Sequence, residues 1–268
     1  MNDRAGRDDG DTRRLREVLA RRERLLAALG ARPMDQRDLR DEVGISRSTA
    51  YKSLGELEDA GLVRQGGDGR YRLTQFGSLV HRRHSEYVAR VGRLERARPV
   101  VEALPDDLLV PLSFLERGHT VVASPNAPER PLERLDAESE RSHGYRVLSP
   151  IAVPRFLPGI HERVERGDLV AELLVGSGAV EYLRQYERFD EALLTDGFDL
   201  LRTDEPVEFG LFVRDDRELA ALFAYGPQGS VVGMVLSDAP EAYRWADRTY
   251  RRYRESATPV EPRAADGD

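Results

Sequence analysis

The 268-residue chain contains no cysteine, which excludes disulfides, thiolate metal sites and cysteine nucleophiles. Lysine is nearly absent as well, with Lys52 alone against forty arginines. No apolar run approaches the roughly 20 residues that span a bilayer. Residues 1–11 are polar and acidic and lack the apolar centre of a signal peptide. A soluble, cytoplasmic protein without a membrane partner is therefore expected. The patterns H-E-x-x-H, G-x-S-x-G and the P-loop are missing. His81 and His84 stand at i, i+3 on a helical stretch, but no third ligand accompanies them, so neither metal nor any other cofactor is expected.

What is present is an uneven charge. The chain carries a net charge of −7, yet residues 13–98 hold 20 Lys/Arg against 12 Asp/Glu, a net of +8, and residues 99–256 a net of −11. One basic third on an acidic chain fits a segment that touches a polyanion. Within it, residues 44–63 read as a recognition helix running into a wing. Ser46 is a good N-cap. Ala50, Leu54 and Leu57 recur at helical spacing and form an apolar face. Arg47, Ser48, Tyr51 and Lys52 fall opposite, with Thr49 beside the cap. These side chains donate to phosphates and base edges, and none is acidic. Gly61 ends the helix. Two short alternating runs flank a Gly/Asp turn at 66–69, the signal of a hairpin. Its arginines Arg64, Arg70 and Arg72 can reach phosphate or the minor groove.

Around this stretch the pattern predicts a disordered tail over 1–12, a helix over 14–29, a second helix opened by Asp35 and a tight turn at Gly44-Ile45. Thr74 caps a long helix to about Arg98. In it Phe76, Val80, Tyr87, Val91 and Leu94 recur at nearly heptad spacing, which suggests a homodimer seam or, alternatively, packing within the domain. Pro99 to Asp106 marks a boundary, so residues 13–98 form one domain and 99–256 another, with a second tail over 257–268. The later domain alternates helices and strands, with one helix expected over 179–194, then gives a run of strands, which predicts a mixed sheet with helices on its faces. The fold class is α/β, or α+β overall: a winged helix-turn-helix followed by a mixed α/β sensor domain.

The run Val43 to Tyr51, followed by Leu54, Leu57, Glu58 and Ala60-Gly61-Leu62-Val63, resembles the archaeal winged helix-turn-helix regulators over about 60 residues. From about Leu104 to Arg254 the chain resembles the effector domain of the filament/methanogenesis-regulator (Fil) type. The pieces are Val121 to Pro125, Leu148 to Pro154 and Phe209 to Val213, in that order. The resemblance implies a DNA-binding regulator whose second domain is related in fold to phospholipase D-like halves. That chemistry needs H-x-K, and no lysine follows Lys52. His119, His143 and His161 are followed two residues on by Val121, Tyr145 and Arg163. His161 lies in an amphipathic helix and reads as a surface histidine.

Gly176-Ser177-Gly178 follows a buried strand and opens a helix, where backbone N–H groups could cradle a carboxylate or phosphate. Ser149 ends a neighbouring buried strand. Together they are the candidate pocket for a small anionic effector, the alternative being ordinary turn glycines and a capping serine. The expected function is a sequence-specific regulator that binds double-stranded DNA and responds to a ligand. Two alternatives remain open: a phospholipase D-like phosphodiesterase targeted to DNA, and a protein-interaction adaptor.

Overall fold

The computed structural model describes residues 3–263, with side chains from Gly10 onward. The chain divides into two compact units, Met1–Ala89 and Arg90–Asp268.

The first unit opens with α1 (Asp3–Arg21) and α2 (Glu23–Ala31). The helix thus reaches back into the stretch expected to be a tail. The single helix expected over 14–29 is broken at Arg22, with no glycine or proline to mark the place. Arg22 is drawn away by a partner distant in sequence: its guanidinium grips Glu56 with two hydrogen bonds of 3.0 and 2.9 Å. Helix α3 (Gln36–Val43) is capped by Asp35, which accepts from the Asp38 N–H at 2.7 Å. Gly44 ends it at φ +71°. Helix α4 (Arg47–Asp59) follows, then strands β1 (Val63–Gln65) and β2 (Tyr71–Leu73), which pair antiparallel. The loop before α3 joins this hairpin, since Met34 and Tyr71 exchange backbone hydrogen bonds of 3.1 and 2.7 Å. Leu26, Leu39, Leu54, Leu57 and Leu62 lie in one small core built from three helices and the turn before β1.

Helix α5 (Gln75–Val101) begins in the first unit and ends in the second. Thr74 caps it, accepting from the Gly77 N–H at 2.8 Å and donating to the Gly61 carbonyl at 2.7 Å. The division between units falls inside α5, earlier than the change of charge at Pro99, because Leu94, Ala97 and Val100 already belong to the second unit's core.

In the second unit the strands are β3 (His119–Val122), β4 (Gly144–Ser149), β5 (Val170–Gly176), β6 (Phe198–Thr203), β7 (Phe209–Arg214), β8 (Leu219–Tyr225), β9 (Val231–Ser237) and β10 (Thr258–Pro259). They form one sheet in the order β10-β6-β5-β4-β7-β8-β9-β3. Strands β4, β5 and β6 are mutually parallel, and every other pairing is antiparallel. The order of elements gives this directly: α8 (Leu157–Glu165), then α9 (Val180–Leu183) with α10 (Phe189–Leu194), carry the chain between parallel strands. Hairpins then build the meander β7-β8-β9. Both faces are covered, so the central strands are apolar along most of their length rather than alternating, with the buried Arg214 at the end of β7 the exception. One face packs with α7 (Arg130–Ser139) and with α8, α9 and α10. The other packs with the end of α5, with α6 (Leu112–Arg117) and with α11 (Pro240–Glu255).

Two expectations change here. The helix predicted over 179–194 is two short helices separated by a turn. Residues from 257 onward are not simply a tail: β10 pairs with β6, and Val260 is buried. Residues 264–268 lie outside the described residues.

Candidate nucleic-acid interface

The interface is built on α4. Ser46 has extended backbone angles, φ −70° and ψ 160°, and its hydroxyl accepts from the Thr49 N–H at 3.1 Å. The same oxygen lies 3.0 Å from the Ser48 hydroxyl and 2.8 Å from that of Thr49. Three hydroxyls therefore gather at the positive end of a 13-residue helix whose first turn holds no acid. Ala50, Leu54 and Leu57 are buried, which turns Arg47, Ser48, Thr49, Tyr51 and Lys52 outward, all exposed. Tyr51 is 74% exposed.

The acids of α4, Glu56, Glu58 and Asp59, come only in its last turns. Glu56 is held by Arg22, whose hydrogen bonds keep its carboxyl below the usual range against the opposing effect of burial. Sequence reasoning missed this pair, since the partners are 34 residues apart and neither sits in a motif.

The wing divides the three predicted arginines. Arg64 and Arg70 are exposed. Arg72, the cross-strand partner of Arg64, is instead folded back onto Asp68, with contacts of 2.8 Å to both carboxylate oxygens. The Arg70 N–H and then the Arg72 guanidinium hold the Asp68 carboxyl below its ordinary value. Arg72 therefore braces the wing tip, and Gln65 helps by donating to the Gly69 carbonyl at 3.0 Å. Its charge is half spent inside the hairpin.

The proposed effector residues fall in the second unit. Ser149 and Val175 are register partners at the ends of β4 and β5, and Gly176 follows. Ser177 and Gly178 form a 3-10 turn with Ala179. Ser149 lines a cavity of about 360 Å³, whereas Gly176, Ser177 and Gly178 do not. Ser149 is also committed locally: it donates to the Ile151 carbonyl at 2.8 Å and lies 3.3 Å from the Ile151 N–H.

His161 is not on the surface. It is fully buried, with Nδ1 3.0 Å from the Tyr186 hydroxyl and Nε2 3.1 Å from that of Thr195. Both ring nitrogens are thereby occupied. Arg163, two residues on, is fixed to the carbonyls of Ser139 and Ser142 at 2.8 and 2.5 Å. His81 packs against Gly30, and burial lowers its pKa. No group of three or more metal-ligating side chains occurs among the described residues.

Two domain families match the chain in order. Residues 11–96 match the HVO_A0261 N-terminal domain, and residues 128–256 the middle domain of methanogenesis regulatory protein FilR1. The chain thus joins a segment similar to the HVO_A0261 N-terminal domain to one similar to the FilR1 middle domain. Methanogenesis regulatory protein FilR1 of Methanothrix harundinacea is 24% identical over 242 residues, covering 85% of this chain and 53% of that protein. The HTH-type transcriptional regulator Rv1719 of Mycobacterium tuberculosis is 33% identical over 147 residues, 53% of this chain and 55% of that one. The chain thus spans about half the length of the curated relatives it matches. Among solved structures, TrmBL2, an archaeal chromatin protein, aligns over 88% of this chain and 92% of its own at 16% identity, with a TM-score of 0.43. No helix of the described residues is long and apolar enough to cross a membrane.

Proposed function

We propose that the chain is a sequence-specific transcriptional regulator that binds double-stranded DNA as a homodimer in the cytoplasm. One observation carries the reading. The outward face of α4 presents Arg47, Ser48, Thr49, Tyr51 and Lys52 with no acid in its first turn, ahead of a wing with free Arg64 and Arg70. Arg47, Tyr51 and Lys52 approach base edges, where arginine and lysine suit guanine acceptors. Ser48, Thr49, Arg64 and Arg70 hold phosphates and set the register. Ser46 contributes through its cap, and Arg72 by shaping the wing. The relatives' names, a methanogenesis regulatory protein and an HTH-type transcriptional regulator, point the same way.

The homodimer rests on α5. Phe76, Leu79, Tyr87 and Val91 are exposed along one side of that helix, an apolar stripe that a second copy would cover. The phosphodiesterase alternative has little support. Its one degenerate motif, His161-Glu162-Arg163, has a buried histidine with both nitrogens engaged and an arginine tied to carbonyls.

The test is a DNA-binding titration on the fragment selected from genomic DNA, against random sequence. Arg47→Ala should weaken the selected fragment about tenfold or more and random DNA far less, as expected when a base contact worth roughly 1–3 kcal/mol is lost. Equal losses on both would make Arg47 a backbone contact. No retained fragment at all would favour the adaptor reading.

A further inference from the structure

The cavity beside Ser149 has the wrong chemistry for a small anion. It lies within the second unit, between the sheet and the helices α7 and α8. Most of its wall is apolar: Leu135, Val147, Ile160, Leu173, Phe212 and Phe223 face it. Two arginines reach its edge, and both are already engaged. Arg163 is held by two backbone carbonyls, and Arg155 pairs with Glu129 at 2.6 Å. Asp136 and Glu140 stand at the same wall and would repel an anion.

A neutral polar group also stands on the wall, beside Ser149. Tyr225, at the end of β8, points its ring into the cavity wall, and burial pushes its hydroxyl up to about 12 despite a counteracting interaction with Ser149. Ser149 spends its own proton on Ile151. The Ser149 oxygen is therefore the neighbouring acceptor for the Tyr225 O–H, and a ligand oxygen in the cavity would share that donor or take it over.

We propose that this cavity is a binding site for a small, uncharged, largely apolar molecule carrying one hydroxyl or carbonyl oxygen that accepts from Tyr225. The volume of about 360 Å³ falls at the lower end of small-molecule sites, which pair an apolar wall with a few placed polar groups. The segment 150–156 closes one side, with Ile151, Ala152 and Val153 on the wall. Residues of the β8–β9 turn buttress it, since Gly229 packs against Ile151. A ligand in the cavity therefore contacts the sheet, α7, α8 and this segment at once. That the ligand acts as an effector rests on the DNA-binding reading; occupancy of the cavity does not.

The experiment uses the full chain without DNA and 1-octanol as the probe. Calorimetric titration should give one octanol per chain with a negative heat-capacity change, and thermal unfolding should rise with octanol concentration. Phosphate and citrate should give neither. Tyr225→Phe keeps the ring and should weaken octanol roughly three- to tenfold, the loss of one neutral hydrogen bond. Ala152→Phe fills the space and should abolish binding. If Ala152→Phe fails to fold, Val147→Phe serves the same purpose. Non-saturable uptake, unchanged affinity in Tyr225→Phe, or tighter binding of citrate than octanol would overturn the proposal. Octanol binding in a chain that retains no DNA would leave the site standing and remove the regulator.

Discussion

At the scale of single residues, two positions have signs opposite to their usual ones. Gly77 lies in the first turn of α5, where alanine is normally the better helix former by about 1 kcal/mol. Here a Cβ would sit 1.9 Å from the Leu62 carbonyl oxygen and 2.7 Å from its carbon, both backbone atoms. Neither can move without separating α5 from the turn that joins α4 to β1, so Gly77→Ala should destabilise the first unit by about 3 kcal/mol or more. Trp245, the one tryptophan, belongs to the second unit. Its fluorescence follows that unit, and circular dichroism follows both. The expected result is an early transition in the dichroism that the fluorescence does not share. Ser53 is the converse case. It is fully buried in α4, and its hydroxyl finds no hydrogen-bond partner among the described residues. Ser53→Ala removes an unsatisfied group and adds helix propensity, so it should stabilise by about 1 kcal/mol. Denaturant midpoints compared at equal slope check it, and a loss of stability would mean the hydroxyl does hold a partner.

At the scale of elements, the Arg22–Glu56 pair joins the α1–α2 break to the recognition helix. Glu56 titrates below its ordinary value of 4.5 because Arg22 hydrogen-bonds the ionised form. A carboxyl lowered on folding contributes stability that is complete above its unfolded value and disappears as pH falls through the folded one. Glu56→Gln should therefore cost about 1 kcal/mol at pH 7, and the deficit should shrink below about pH 4.5 until the two proteins unfold alike. Parallel stability curves down to pH 3 would show that the pair contributes nothing through charge. The pair also marks the limit of what the sequence reveals. The Ser46 cap, the Gly44 turn, the wing and the strand–helix order of the second unit were legible, since each rests on neighbours a few residues apart. The break at Arg22, the divided helix over 180–194, the burial of His161 and strand β10 were not. Each depends on a partner 25 or more residues away: Glu56, Tyr186, Thr195 and β6. The cavity was hidden for the same reason, since four strands and three helices supply its wall. Only Ser149 was anticipated there, with an anion for its ligand, while Arg155 and Arg163 prove to be paired and Tyr225 adds a neutral hydroxyl beside Ser149.

Across the whole molecule, the charge partition and the apolar stripe of α5 make one joint prediction. The first unit is basic on a chain of net −7, so the proposed affinity for DNA would come from one face while the remainder is repelled by the polyanion. Each copy then contributes a limited number of phosphate contacts, and log K falls against log salt in proportion to their sum. Two copies joined through Phe76, Leu79, Tyr87 and Val91 double that number. Replacing Tyr87 and Val91 together with glutamate puts two charges into the stripe, and both side chains are exposed, at 63% and 44%, so neither unit's core is disturbed. Light scattering should then show a change from dimer to monomer with the unfolding curve unmoved. The slope of log K against log salt should fall by about half in the same variant, since one set of phosphate contacts is gone. A variant that stays dimeric would place the seam elsewhere. A monomer that keeps the full slope would mean that a single copy makes all the phosphate contacts, and that the stripe on α5 serves some purpose other than bringing two recognition helices to one site.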